Sequence, residues 1–163
     1  MRIRDAVPED AEAIAHIYNQ GIADRQATLE TLPRTANERR AWLEARGERH
    51  PVLVAQDAAG TVQGWASLNP FNPRSVYDSV ADFSVYVARE ARGQGIGDAL
   101  LTALEERACA LRYHKLVLAA FPTNAAGMRL YARHGFVRVG IYHEQGQLDG
   151  QWVDVIVMEK LLA

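Results

Sequence analysis

Apolar and polar positions repeat in short blocks along the chain, and the period of each block predicts its element. Ile3 to Ala6 reads as a short first strand. Pro8-Glu9-Asp10 suits the first turn of a helix whose buried face carries Ala11, Ile14, Ile17, Tyr18 and Ile22. Thr35-Ala36-Asn37-Glu38 has the spacing of a capping box, in which hydroxyl and carboxylate satisfy each other's free backbone donors, so a second helix runs from there to about Gly47. Pro51 to Gln56 and Val62 to Leu68 are β-rich runs joined by a short turn, and Asn69 to Ser79, with Pro70 and Pro73, reads as a loop. Val80 to Val87 is the next strand and ends at a cluster of glycines. Leu100, Leu101, Leu104 and Ala108 recur at helical spacing between Ile96 and Leu111. Lys115 to Phe121 reads as a strand, and Asn124 to His134 as a helix stopped by Gly135. Phe136 to Glu144 and Trp152 to Lys160 are strand-like runs around Gly146 to Gln151, where Asp149-Gly150 suits a tight turn. The order β-α-α-β-β-β-α-β-α-β-β predicts an α/β (α+β) fold, a mixed sheet covered by helices, in a single domain over residues 1–163.

Composition narrows the function. With 18 basic and 20 acidic side chains the net charge is -2, which supplies no field to gather nucleic acid or anionic lipid. No apolar run approaches the roughly 20 residues of a membrane span, and the amino terminus lacks the apolar segment of a signal peptide, so a cytoplasmic protein is expected. The single cysteine, Cys109, agrees with a reducing compartment, and its apolar helical surroundings predict a core position. The five histidines show no metal-ligand spacing, so no metal is expected. Trp42, Trp65 and Trp152 read as core or interface anchors, since no basic stripe accompanies them.

The glycine cluster carries the chemistry. In Arg92-Gly93-Gln94-Gly95-Ile96-Gly97, placed between a strand and a helix, alternating glycines let several backbone N–H groups converge at a helix N-terminus, an arrangement that holds phosphate. Arg92 adds a charge-assisted bond. A glycine turn without any ligand is the alternative reading of the same segment. Two other phosphate loops fail here. A Walker loop needs Gly-Lys-Ser/Thr, whereas Gly97 is followed by Asp98. The dinucleotide fingerprint needs glycine in place of Asp98 and an acidic residue some twenty positions on, where Lys115-Leu116-Val117-Leu118 stands.

The segment resembles the acyl-CoA-binding motif Q/R-x-x-G-x-G/A of the GCN5-related N-acetyltransferases (GNAT), with Arg92, Gly95 and Gly97 in the fixed places, and the similarity extends over nearly the whole chain. Within that superfamily the chain looks like the phosphinothricin and methionine sulfoximine acetyltransferase group. The resemblance is carried by Arg74-x-x-Tyr77, Ser84-Val85-Tyr86-Val87, Asn124 ahead of Gly135-Phe136, and Gly150-Gln151-Trp152-Val153-Asp154. It implies a sheet splayed open beside Val80 to Val87, with acetyl-CoA in the gap. Backbone groups of Val85 and Val87 would meet the cofactor, the loop Arg92 to Gly97 its pyrophosphate, and Asn124 its pantetheine arm.

Acetyl transfer needs a base, because an ammonium group cannot attack a thioester until it loses a proton. Asp82 is the candidate, at a strand position where the family usually carries glutamate, and its shorter side chain favours a bridging water. The N–H of Val85 would stabilise the oxyanion, and Tyr131, where the resembling group often has histidine, would protonate the leaving thiolate. Structural readings stand beside these: Asp82 as a solvated strand residue and Tyr131 as a packing residue. Arg74 and Tyr77 lie where the resembling group binds the acidic end of an amino-acid analogue. Thr28, Glu30 and Thr31 fall where the family lines its acceptor pocket, with nothing to choose among them. The expected reaction is acetyl transfer to the α-amino group of a small acidic amino-acid analogue of the phosphinothricin, methionine sulfoximine or arsinothricin type. A protein N-terminus, a lysine or a polyamine as acceptor, and a non-catalytic acyl-CoA-binding module, are the alternatives. The resemblance also implies a homodimer, with the C-terminal strands and Trp152 near its interface.

Overall fold

A computed structural model of the chain describes residues 1–25 and 27–162. Its strands are β1 (Arg2–Asp5), β2 (Val52–Gln56), β3 (Val62–Pro70), β4 (Val80–Val87), β5 (Lys115–Ala120), β6 (Val137–Leu148) and β7 (Gln151–Leu161). Its helices are α1 (Ala11–Ala23), α2 (Ala36–Glu44), α3 (Ile96–Ala110) and α4 (Ala125–Arg133), with short 3-10 turns at Pro8–Asp10, Ser75–Tyr77 and Arg89–Ala91. All seven strands form one mixed sheet in the order β1-β2-β3-β4-β5-β7-β6, antiparallel except for β4 against β5.

Strand alternation sorts the two faces. Trp65 and Tyr86, paired across β3 and β4, turn toward α1, where Trp65 stacks on Tyr86 at 4.9 Å and Tyr18 meets Tyr86 edge-on at 5.2 Å. Gly64 and Val87, one step along each strand, turn toward α3, so close that a Cβ at Gly64 would meet Leu100 at 3.0 Å and Ile96 at 3.1 Å. Ile14 and Ile17 of α1, the α3 leucines 100, 101 and 104, and Val54, Leu68 and Leu116 of the sheet are sealed between the layers. Leucine burial of this kind stabilises the fold by about 2 kcal/mol per side chain.

The β4–β5 pairing is short. Val80, Ala81 and Asp82 pair with Lys115, Leu116 and Val117, and beyond that point the two strands separate, β5 continuing to pair only with β7. The sheet is therefore forked, and Asp82 is the last residue of β4 before the fork.

Several expectations change. Cys109 is exposed rather than in the core, because one residue past buried Ala108 is about 100° further round the helix. The capping box is half made: the Thr35 hydroxyl accepts from the Glu38 N–H at 3.1 Å, while the Glu38 carboxylate faces Arg34 at 3.4 Å. That helix ends at Glu44, short of Gly47. Strand β3 runs on through Pro70, and the expected loop holds a 3-10 turn. Strand β6 passes Glu144 and reaches Leu148, accommodating two register shifts against β7 before turning at Asp149-Gly150. Trp65 is buried, whereas Trp152 is 59% exposed and belongs to no core.

Candidate active site

The loop between β4 and α3 is shaped by two left-handed residues, Gly93 (φ +78°) and Gly95 (φ +82°), a conformation that side chains resist. Gly95 is also the N-cap of α3, so the free N–H groups of the first helical turn, Ile96 and Gly97 among them, open on the same hollow. That hollow is a cavity of about 400 Å³ bordered by the loop, by Tyr86 and Val87 of β4, and by one face of α4. A Cβ at Gly97 would sit 3.4 Å from Leu130, so α3 and α4 approach each other closely at this glycine.

Backbone direction in β4 follows from a single bond. The Ala88 N–H donates to the Gln63 carbonyl of the neighbouring chain segment at 2.8 Å, and antiparallel pairing alternates, so Tyr86 and Ser84 also point their backbone groups at β3. The groups of Val85 and Val87 point the other way, into the fork. Arg92 Nε reaches the Val87 carbonyl from that side at 3.4 Å. Arg92 is further held by Asp24 at the end of α1, Nη1 to carboxylate 2.7 Å, and Asp24 also takes Arg89 at 2.8 Å. The hydrogen bond from Arg89 foremost, joined by the hydrogen bond and charge of Arg92, holds the Asp24 carboxyl below its ordinary range against the opposing effect of burial.

At the fork, burial pushes the Asp82 carboxyl up to about 6, against a smaller opposing pull from Asn69, its register partner on β3. Tyr131 of α4 packs edge-on against Phe83 at 6.0 Å and Phe136 at 6.1 Å. Burial first, and the charge of Asp82 second, push its phenol up to about 12. Tyr131 therefore keeps its proton throughout the neutral range while Asp82 exchanges one. A carboxyl and a phenol, both raised by burial, thus lie where the sheet opens.

Of the residues singled out in the sequence, Val87, Arg92, Gly93, Gly95, Ile96, Gly97 and Asn124 border the large cavity. The Asn124 side chain caps α4, accepting from the Gly127 N–H at 3.0 Å. Val85 contributes a backbone facing the fork without bordering the cavity. Gln94 lies outside it, beside a separate hollow shared with Met1, Asp57 and Glu90. Arg74 and Tyr77 are exposed around the 3-10 turn before β4, where Tyr77 packs edge-on with Phe71 at 5.5 Å, and they border neither cavity of the cleft. Thr28 borders the second cavity, about 200 Å³, with Leu29, Ala119, Ala120, Phe121 and Val155, and Ala27 borders both.

Sequence reasoning missed Asp24, whose ion pairs cross 65 and 68 residues of chain. It also missed Ala126, Arg129, Leu130 and Arg133, which border the large cavity from α4. Their spacing of three and four is the sign that marks one helical face.

A glycine-shaped loop at a helix N-terminus, a strand whose Val85 and Val87 backbone faces a fork in the sheet, and a raised carboxyl and phenol beside it have the geometry of an acyl-CoA-dependent transferase. The match to the family model "Acetyltransferase (GNAT) family" over residues 14–136 places the chain: it belongs to that family. It is 39% identical over 158 residues to an L-methionine sulfoximine/L-methionine sulfone acetyltransferase of Pseudomonas paraeruginosa, covering 96% of this chain and 92% of that protein. Among solved structures it resembles a GNAT superfamily phosphinothricin acetyltransferase from Sinorhizobium meliloti in complex with acetyl-CoA, with a TM-score of 0.91, 31% identity and coverage of 98% and 87%. It also resembles a ribosomal-protein-alanine N-acetyltransferase from Brucella melitensis, with a TM-score of 0.94, 36% identity and coverage of 99% of each chain. The chain is an acetyl-CoA-dependent N-acetyltransferase with the mixed, splayed GNAT sheet. Among the described residues no helix is long and apolar enough to cross a membrane.

Proposed function

We propose that the enzyme acetylates the α-amino group of a small acidic amino-acid analogue of the phosphinothricin, methionine sulfoximine or arsinothricin type, by direct attack within a ternary complex. The observation that carries the mechanism is the placement of Asp82 at the last position where β4 pairs with β5, with its carboxyl raised to about 6. The diphosphate of acetyl-CoA takes the N–H groups of Gly93 to Gly97 and the guanidinium of Arg92, and the pantetheine arm runs along the fork-facing backbone of Val85 and Val87 past Asn124. The acceptor ammonium gives its proton through a water to Asp82, and the amine lone pair forms the new C–N bond. Negative charge on the former carbonyl oxygen is met by the Val85 N–H. As the C–S bond breaks, the Tyr131 hydroxyl donates its proton to the thiolate, and the second proton of the attacking nitrogen leaves through water to restore the phenol, so that amide, free thiol and protonated Asp82 result. Arg74 and Tyr77, on the exposed turn ahead of β4, take the acidic end of the acceptor.

A protein N-terminus as acceptor is the second reading, raised by the likeness to a ribosomal-protein-alanine acetyltransferase but set against relatives named for methionine sulfoximine and phosphinothricin. Thiol release from acetyl-CoA across a panel of acceptors separates the two. Turnover with methionine sulfoximine, methionine sulfone or phosphinothricin, and little with alanine-ended peptides, is expected. Turnover with peptides alone sinks the small-acceptor reading, and none with any amine sinks the catalytic one.

The assembly proposed is a homodimer working in the cytoplasm. Its support is the outer strand β6 with its partner β7, where Val137, Val139, Tyr142 and Trp152 are 57 to 60% exposed on a long edge that an isolated chain would leave open to association. Sedimentation as a monomer at micromolar concentration contradicts it.

A further inference from the structure

Asn69 ends a short polar chain that begins outside the catalytic strand. Arg46, just past α2, donates from Nε to the His50 carbonyl at 2.8 Å, from Nη2 to the Leu68 carbonyl, and from Nη2 to Asn69 Oδ1 at 2.9 Å, with its guanidinium 4.3 Å over the Trp42 ring. Ser67, only 1% exposed, donates its hydroxyl to the same Asn69 oxygen at 3.0 Å. This pair of contacts decides which end of the amide is which. A guanidinium has donors and no acceptor, so the atom facing Arg46 is the amide oxygen and the NH2 group points the other way. There Asn69 Nδ2 lies 3.3 Å from the Ser84 hydroxyl, leaving its second hydrogen for Asp82, which sits directly opposite Asn69 in the β3–β4 register.

We infer that Asn69, oriented by Arg46 and Ser67, is a positioning residue for Asp82: its amide hydrogen holds the carboxylate in place and sets the pH at which the base becomes active. The inference rests on the proposed role of Asp82 as base. Among the described residues, the other groups around Asp82 supply no competing cation. Its β5 partner is the uncharged Val117, α4 brings the neutral Tyr131 phenol, and Arg46 reaches Asp82 only by way of Asn69. A donor to the charged form favours that form, so Asn69 opposes the burial that raises the carboxyl.

The test compares pH profiles of kcat/KM with one acceptor, so that the acceptor's own titration cancels between variants. Asn69→Leu removes the donor within a similar volume, and Asn69→Asp replaces it with a like charge that Arg46 can still hold. Both are expected to move the acid limb upward, by roughly half a unit to one unit for Asn69→Leu and further for Asn69→Asp, with the alkaline plateau kept within about threefold. Ser67→Ala, which loosens the amide without removing it, is expected to shift the limb in the same direction by less. Acid limbs that stay at the wild-type pH, with or without a uniform loss of rate, overturn the inference. If circular dichroism shows that Asn69→Leu does not fold, Asn69→Asp carries the decision. Asp82→Asn separates this from failure of the base itself: an acid limb that stays at the wild-type pH in Asp82→Asn removes Asp82 as base. A limb lost in Asp82→Asn but unmoved in both Asn69 variants removes only Asn69.

Discussion

Arg92 and Asp24 form an ion pair of 2.7 Å that ties the phosphate loop to the end of α1, so the guanidinium proposed for the diphosphate is already oriented before any ligand arrives. Both partners are partly exposed, so the pair itself adds little stability. Arg92→Ala is accordingly expected to leave the melting temperature nearly unchanged. It should raise the KM for acetyl-CoA by about tenfold, the loss of one charge-assisted bond, with kcat retained. Steady-state kinetics at saturating acceptor checks this; an unchanged KM removes Arg92 from the diphosphate site.

Gly95 joins the left-handed turn to the first turn of α3. Gly95→Ala forces a side chain into φ +82° at a cost of about 1 to 2 kcal/mol and turns the converging N–H groups away from the cavity. A fall in stability together with weaker CoA binding by calorimetry is expected. Wild-type affinity for CoA in the variant would show that the loop does not hold the diphosphate.

Asp82 links catalysis to stability. Its folded carboxyl keeps its proton to about 6, above the 3.8 of a free aspartate. Below that lower value both states are protonated and the group contributes nothing. As pH rises between the two values the unfolded chain releases its proton first, and above about 6 the native state bears the full cost, on the order of 2 to 3 kcal/mol. Asp82→Asn should therefore raise the unfolding free energy at pH 8 and not at pH 4, while abolishing most turnover near neutrality. Equal stability at pH 8 would show that the carboxylate is not buried as described.

Tyr131→Phe removes a proton donor without opening a cavity, since the ring contacts with Phe83 and Phe136 remain. A drop in kcat of about 10- to 100-fold is expected, with the acetyl-CoA KM little changed. The deficit should shrink with an acyl donor whose leaving thiol has a lower pKa, because such a thiolate departs without help. A deficit independent of the leaving group would make Tyr131 a packing residue.

The sheet and the glycine turn before α3 were legible in the sequence because they rest on local signals. The alternation of Val80 to Val87, the leucine spacing of α3 and the glycine run all speak for a strand, a turn and a helix within a few residues of each other. Asn124 and Gly135 marked the ends of α4 in the same local way. Strand β6 was cut short because Glu144 and Gly146 break its alternation at a register shift, which only pairing with β7 repairs. The Asp24–Arg92 pair and the chain from Arg46 through Asn69 to β4 join segments far apart in sequence, and no local pattern announces them. Cys109 shows the opposite limit: its neighbours are apolar, yet its own direction on the helix is outward.

The most direct measurement is a competition. Limiting acetyl-CoA is offered to the enzyme with methionine sulfoximine and an alanine-ended peptide at equal concentration, and the acetylated products are weighed by mass spectrometry, their ratio reading the ratio of the two kcat/KM values. Acetyl found on the amino group of methionine sulfoximine, and falling in Arg74→Ala, is the predicted result. Acetyl found on the peptide, with methionine sulfoximine unchanged, contradicts it.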